Sequence, residues 1–292
     1  MVQPGSSAFA PRGPDDSDMK LSDLRAIAQM MEEISGNIFP ESKNSLIQSR
    51  VLKRMIALKI NRFDNYIDYL SSPKGEEEKE ELVYTLTTNT TRLFREPHHF
   101  SSLRNTILPK LITRARQGKR VRIWSAGCSS GEEPYSIALL ALFLEPELAR
   151  YDFKILATDL DRNMVNRARR GHYPADKLST IPADLHKLVK CHDDALIMPS
   201  VFREFMTFRE LNLLHDWPFR GQFDIIFCRN VVIYFTEEIS DQLWHKFASR
   251  LLPGGHLFIG HSERVRAPET IGLTLTGITT YEKSSHSDLQ GH

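Results

Sequence analysis

The chain has 292 residues, 41% apolar and 26% charged, with 38 Lys and Arg against 37 Asp and Glu and a net charge of +1. That length can bury a large core in one or two domains, while the even charge balance excludes a globally basic nucleic-acid binder and leaves electrostatic roles to local clusters. No run approaches the roughly 18 apolar residues of a membrane span, and Cys128, Cys191 and Cys228 form no Cys-x-x-Cys pair, which speaks against a disulfide framework or zinc ribbon and for a reducing, cytoplasmic setting.

Residues 1–18, rich in Pro, Gly, Ser and Asp, read as a disordered tail without the basic start and apolar core of a secretory signal. From 19 to 111 the pattern is helical. "LSDLRAIAQMMEEISG" opens at Ser22 as a candidate N-cap and stops at Gly36. In "KNSLIQSRVLKRM" the cations Lys43, Arg50, Lys53 and Arg54 read as one helical face, with Ile47, Val51, Met55 and Leu58 assigned to the opposite side. "RFDNYIDYLSS" and "EEEKEELVYTLTT" follow, and "PHHFSSLRNTILPKLITRARQGK" reads as a connector helix ending at Gly118. His98 and His99 read as packing at a helix start, so no metal site is expected.

After Arg120 short β-branched and aromatic runs alternate with helical stretches: "VRIWSA", "FKILATDL", "FMTFREL", "FDIIFCRN" and "GGHLFIGHS". Alternating strands and helices imply a parallel sheet covered on both faces, hence an α/β domain at 112–284. "LTLTGITTYEKS" closes it as a strand pair, and 285–292 read as a second tail.

Ligands of such sheets bind beyond the carboxyl ends of the strands. Those ends are Ala126–Glu133, Thr158–Asp161, Glu210–Leu214 and Cys228–Asn230. Asp159 suits ribose hydroxyls, or caps the next helix instead. The turn "AGCSSGEEP" has neither G-x-G-x-x-G nor a P-loop lysine, and Glu132 and Glu133 would repel phosphate. A nucleoside that carries positive charge and no phosphate fits: S-adenosylmethionine. Glycines such as Gly127 admit its body and a carboxylate meets its cation or its hydroxyls. Both glutamates would equally suit the helix dipole, Glu133 above all.

The ordered blocks "LTTNTTRLFREPHHF", "IWSAGCSSGEEPYSIA", "ILATDLD", "FDIIFCRNVVIYF" and "GGHLFIGHSE" resemble the chemotaxis receptor methyltransferases, the CheR family, from Leu21 to Lys283. The resemblance implies a class I (Rossmann-like) S-adenosylmethionine-dependent methyltransferase domain, a small all-α N-terminal domain, and a small inserted β subdomain at about 175–210. It implies cofactor contacts from Asn89, Thr91, Arg95, Glu132, Asp159, Asn212, Leu213, Arg229 and Asn230, with the 89–95 segment joining the two domains. It further implies methyl transfer to glutamate γ-carboxylates of methyl-accepting chemotaxis receptors, giving methyl esters and S-adenosylhomocysteine. Some members hold a receptor C-terminal pentapeptide on the β subdomain; the short, glycine-free stretch Lys190–Ala195 points away from that mode.

A glutamate with a reference pKa of about 4.3 is already ionised at neutral pH, so its attack on a sulfonium methyl needs positioning and dryness rather than a general base. Arg95 and Tyr234 are the candidates to orient it. Arg95 could instead serve an ion pair between the domains, and Tyr234 could be core. The basic face Lys43, Arg50, Lys53 and Arg54 suits an acidic receptor helix. A monomer with no nucleic-acid or membrane-inserted partner is expected. The competing readings are a methyltransferase for small molecules, a non-catalytic module that senses cofactor and, least of all, a dehydrogenase.

Overall fold

A computed structural model describes residues 19–284; the two expected tails lie outside the described residues. The chain divides into two compact units between Thr88 and Asn89, inside the 19–111 stretch expected to hold the helical domain and its linker.

The first unit holds α1 (Leu21–Ser35), α2 (Asn44–Leu58), α3 (Phe63–Ser71) and α4 (Glu76–Leu86). Ser22, the expected N-cap, lies inside α1. Lys20 takes that place, and its N–H donates to Asp23 Oδ2 at 2.9 Å. Gly36 stops the helix as expected, at φ 72°.

The basic face of α2 needs correction. Ile47 and Arg54 are seven residues apart, two helical turns, and therefore share a side rather than opposing each other. Placed beside the apolar stripe, two of the cations turn inward. Arg54 donates to both oxygens of Glu78, at 3.0 and 2.5 Å, and the Tyr66 hydroxyl donates to Glu78 Oε1 at 2.8 Å. Arg50 donates to the carbonyls of Thr85 and Thr87. Both arginines tie α2 to α4 and its C-terminal end, whereas Lys53 is exposed and Lys43 half-buried. Because Glu78 is only 3% exposed, Arg54→Glu is expected to destabilise the protein by about 3 kcal/mol, the cost of stranding a buried carboxylate. Lys53→Glu should stay within about 0.5 kcal/mol. Thermal melts at low and high salt measure both, and a loss for Arg54→Glu that salt does not relieve is the expected sign of a broken buried pair.

The second unit runs through α5 (Pro97–Ser102), α6 (Leu108–Arg116), β1 (Val121–Ala126), α7 (Glu132–Leu144), β2 (Phe153–Asp159), α8 (Arg162–Arg170), β3 (His172–Pro174), β4 (Lys190–His192), β5 (Ala195–Ile197), α9 (Phe202–Phe205), β6 (Met206–Glu210), β7 (Phe223–Cys228), α10 (Glu237–Arg250), β8 (Leu251–Ile259), β9 (Leu273–Gly277) and β10 (Thr280–Lys283). The connector is not one regular helix. Pro109 lacks an N–H, and the chain widens over Leu103–Ile107, where Leu108 N–H reaches back to Leu103 O. Leu93, Phe94, Phe100, Leu103, Ile107 and Leu111 join the core of this unit.

Seven strands lie in the order β6-β2-β1-β7-β8-β10-β9. All pairs from β6 to β8 are parallel, and β10 is antiparallel to both of its neighbours. Strand order reverses between β1 and β7, which makes their carboxyl ends the natural ligand crevice. The inserted subdomain is a three-stranded antiparallel sheet, β3-β5-β4. It starts before the expected 175 and ends before β6, which belongs to the main sheet. Cys128 and Cys228 are buried in clusters on separate faces, and burial pushes both thiols up. Among the described residues no helix is long and apolar enough to cross a membrane.

Candidate active site at the carboxyl ends of the strands

The loop after β1 is built by glycine. Gly127 has φ 82°, and a Cβ there would sit 2.3 Å from Val231 Cγ2, so only glycine lets the loops after β1 and β7 approach this closely. The N–H groups of Gly127 and Cys128 both donate to Thr158 O at 2.8 Å, and Ser129 N–H donates to Asp159 Oδ2 at 2.6 Å. Asp159 Oδ1 accepts Asp161 N–H at 2.9 Å. Burial nevertheless pushes the Asp159 carboxyl up to about 6, the backbone donors offsetting part of that cost.

Helix capping falls to Asp161, whose Oδ1 accepts from Asn163 and Met164 N–H. Its Oδ2 accepts Asn89 Nδ2 at 2.9 Å, and Asn89 O accepts Ser129 Oγ at 3.0 Å. The segment that starts at Asn89 is thereby tied to the tips of β1 and β2. Leu211 N–H donates to Asp159 O at 2.9 Å and brings the tip of β6 alongside. There Asn212 Oδ1 accepts Leu214 N–H, while Leu213 is buried and its carbonyl accepts Trp217 Nε1.

Glu132, 3% exposed, accepts Ser130 Oγ on Oε2 at 2.6 Å, which leaves Oε1 outside that bond. Glu133 takes another part. Its Oε1 accepts Ser125 Oγ at 2.7 Å and its Oε2 lies 3.1 Å from Arg229 Nη1. Burial holds this carboxyl above its ordinary value although the guanidinium pulls it down.

Arg229, which the resemblance assigns to the cofactor, is a buried clamp. Its side chain is 2% exposed, and Nη2 lies 2.5 Å from Arg95 O and 3.2 Å from Glu96 Oε2. Glu96 Oε1 in turn accepts from His261 N–H and lies 3.0 Å from its Nδ1. The clamp holds the 94–96 backbone, with φ of 53° at Phe94 and 60° at Glu96, against the tip of β7. The Arg95 side chain itself donates to Thr90 O at 3.0 Å and meets no carboxylate among the described residues. Thr91 and Tyr234 are half-buried, Tyr234 on the 3-10 turn Val232–Tyr234.

The loop after β7 depends on Glu263, which the resemblance block contains but which sequence reading did not single out. Its 8% exposed carboxylate accepts N–H groups from Asn230 (3.0 Å), Val231 (2.8 Å), Val232 (2.8 Å) and Gly260 (2.5 Å). Burial raises its pKa against those four donors. They hold Asn230 at φ 59°, with its Oδ1 buried and unpartnered.

Glu96 also gives the His98-His99 pair the third neighbour that was not seen in the sequence: one ligand-type atom from each lies within 4.8 Å of the others. Arg229 already supplies positive charge beside that carboxylate. It joins burial in pushing His99 down to about 3, so the imidazole is neutral.

These groups fit S-adenosylmethionine better than a dinucleotide. The orphaned Asn230 Oδ1 and the Asp159 carboxylate both ask for O–H or N–H donors, and no lysine or arginine follows the β1 glycines to meet phosphate. An ionised Asp159 accepts hydroxyls better than a protonated one. Affinity for S-adenosylhomocysteine is therefore expected to rise with pH through about 6 and then level off, and Asp159→Asn should flatten the profile. Calorimetric titration from pH 5 to 8 measures it.

Two family models match the chain. One, CheR methyltransferase, SAM binding domain, covers residues 89–281, and the other, CheR methyltransferase, all-alpha domain, covers 22–87. A probable chemotaxis protein methyltransferase of Rhizobium etli is 45% identical over 257 residues, 86% of this chain and 96% of that one. The chemotaxis protein methyltransferases of Borreliella burgdorferi and Escherichia coli are 39% and 34% identical, over 84% and 91% of this chain and 88% and 93% of theirs. Matches to both units, over ranges that divide where the fold divides, place the chain in the CheR methyltransferase family, whose cofactor is S-adenosylmethionine.

Proposed function

We propose that this methyltransferase esterifies glutamate γ-carboxylates on the cytoplasmic helices of chemoreceptors, adjusting receptor signalling in the cytoplasm. The names of the relatives support a role in chemotaxis. The observation that carries the reading is Arg95. Its backbone is clamped at the tip of β7 by Arg229, while among the described residues its guanidinium is held only by a carbonyl oxygen. An arginine so held can exchange a neutral acceptor for an incoming carboxylate. A guanidinium already locked in a tight salt bridge could not do so, and an overly tight pair with substrate would slow attack.

Bound S-adenosylmethionine supplies a methyl group on positively charged sulfur. Asp159 and Asn212 would hold its hydroxyls and base edge, and Asn230 and Glu132 its polar tail. Arg95, with Tyr234, would turn the substrate carboxylate toward the methyl. No protein base is required, because the nucleophile is ionised at neutral pH. Lys43 and Lys53 would steer an acidic helix, while Arg50 and Arg54 are committed to α4. The β4–β5 connection is the short Asp193-Asp194 turn, with Asp193 at φ 51°, which favours methylation without a pentapeptide tether.

Incubation with methyl-labelled S-adenosylmethionine and receptor cytoplasmic fragments should give label that alkali releases as methanol, equally from fragments with and without their last five residues. Alkali-stable label would mean N-methylation and overturn the proposal. Arg95→Ala should lower turnover at saturating cofactor about a hundredfold, the scale of one lost orienting contact.

A further inference from the structure

We infer that a cavity between α8, β6 and the inserted sheet binds a small, multiply charged phosphate compound at a place separate from the cofactor site. The cavity measures about 380 Å³. Its wall carries Arg169 and Arg170 from α8, Arg203 from α9 and Arg209 from β6, and no aspartate or glutamate lines it. Cations on a helix C-terminus commonly serve its dipole, which accounts for the pair on α8. It does not account for Arg203 and Arg209, which come from other elements and point to the same space.

The local arrangement is frustrated in a way an anion would relieve. Arg169 Nη2 and Arg209 Nη1 both donate to the single carbonyl of Phe208, at 3.0 and 2.9 Å, and Arg169 Nη1 donates to Asn166 Oδ1 at 2.9 Å, so two like charges are met by neutral acceptors alone. Glu210, next to Arg209 in sequence, lies 2.9 Å from Arg162 Nε. The guanidinium groups of Arg170 and Arg203 make no hydrogen bond or ion pair among the described residues; the backbone N–H of Arg203 donates to Ser200 O at 3.1 Å. Four exposed forked donors around a half-open cavity match the several oxygens of a diphosphate, and Tyr135 and Phe202 add an aromatic floor. β6 is the outermost strand, and the cavity meets the C-terminal end of α8. The N-terminal end of α8 carries Asp161 at the cofactor side, about 13 Å away at 1.5 Å per residue. Occupancy here would therefore load the helix whose other end holds Asn89.

The test is calorimetric titration of the whole chain, saturated with S-adenosylhomocysteine, with pyrophosphate and with ADP. The expected result is one site per chain, weakened about tenfold or more in Arg170→Gln/Arg203→Gln, with affinity for S-adenosylhomocysteine unchanged. Tighter binding of ADP than of pyrophosphate would assign a nucleotide, and equal binding a phosphate group alone. No heat at millimolar probe, displacement by S-adenosylhomocysteine, equal affinity in the variant, or preference for a hexaglutamate peptide would each overturn the inference. A melting curve checks that the double variant is folded; if it is not, Arg203→Gln alone carries the comparison.

Discussion

Arg229→Met should lower stability by about 3–5 kcal/mol, the range for removing one partner of a buried ion pair. Methionine keeps much of the volume and removes the charge, so what remains is Glu133 and Glu96 facing each other without a cation. Glu133 already sits above its ordinary pKa because of burial, and loss of the guanidinium raises it further. A carboxyl whose folded pKa is raised holds its proton longer in the folded state than in the unfolded one. Its contribution is complete below about pH 4.5 and is lost as pH rises through the folded value. The variant should therefore be least impaired near pH 5 and most impaired near pH 8, and Glu133→Gln added to it should flatten that slope. Urea unfolding across this pH range measures both. A uniform loss at every pH would show that Arg229 acts through packing on Phe100, whose ring lies 5.8 Å from the guanidinium, and not through charge.

Glu263→Leu should be comparably severe, by about 4 kcal/mol, because four N–H groups, two of them fully buried, lose their acceptor together and each orphaned donor costs about 1–3 kcal/mol before relaxation. The functional part is separable. Asn230 holds φ 59° only because its own N–H and the next two converge on that carboxylate, and relaxation would withdraw the orphaned Oδ1 from the cofactor site. Affinity for S-adenosylhomocysteine is expected to fall about a hundredfold, or about 2.7 kcal/mol. Glu263→Gln keeps one acceptor oxygen and should lose less. Binding measured at 10 °C, where both variants remain folded, separates this effect from global unfolding. Full affinity in a folded Glu263→Leu would remove the carboxylate from any role in shaping the site.

The positions of the strand tips were legible from sequence because they follow from local rules. "KILATD" must leave the sheet where its apolar run ends, and the glycine turn after "IWSA" opens a helix whichever way it packs. That reasoning together with the family blocks named Asp159, Asn212 and Asn230 as candidates, and the structure brings the tips of β2 and β6 side by side. Tyr234 could be located on its turn without a role following from it. The α2 stripe misled because a helical wheel separates charge from apolar residues only coarsely: Arg54 lies two turns from Ile47, on the same side, and its long side chain can still reach inward.

The sequence alone determined the succession of a helical unit and a parallel α/β unit, the phosphate-free character of the first loop, and the acid at the second strand tip. Each is a matter of residue type and short-range period. Tertiary structure alone decided what each charge does. Glu133 meets Arg229, Glu263 gathers the backbone of the β7 loop, and Arg54 is taken by Glu78, because the topology brings together groups that lie far apart in the chain. For a buried charge, the cost of leaving water makes the partner, not the side chain itself, the thing that sets its role.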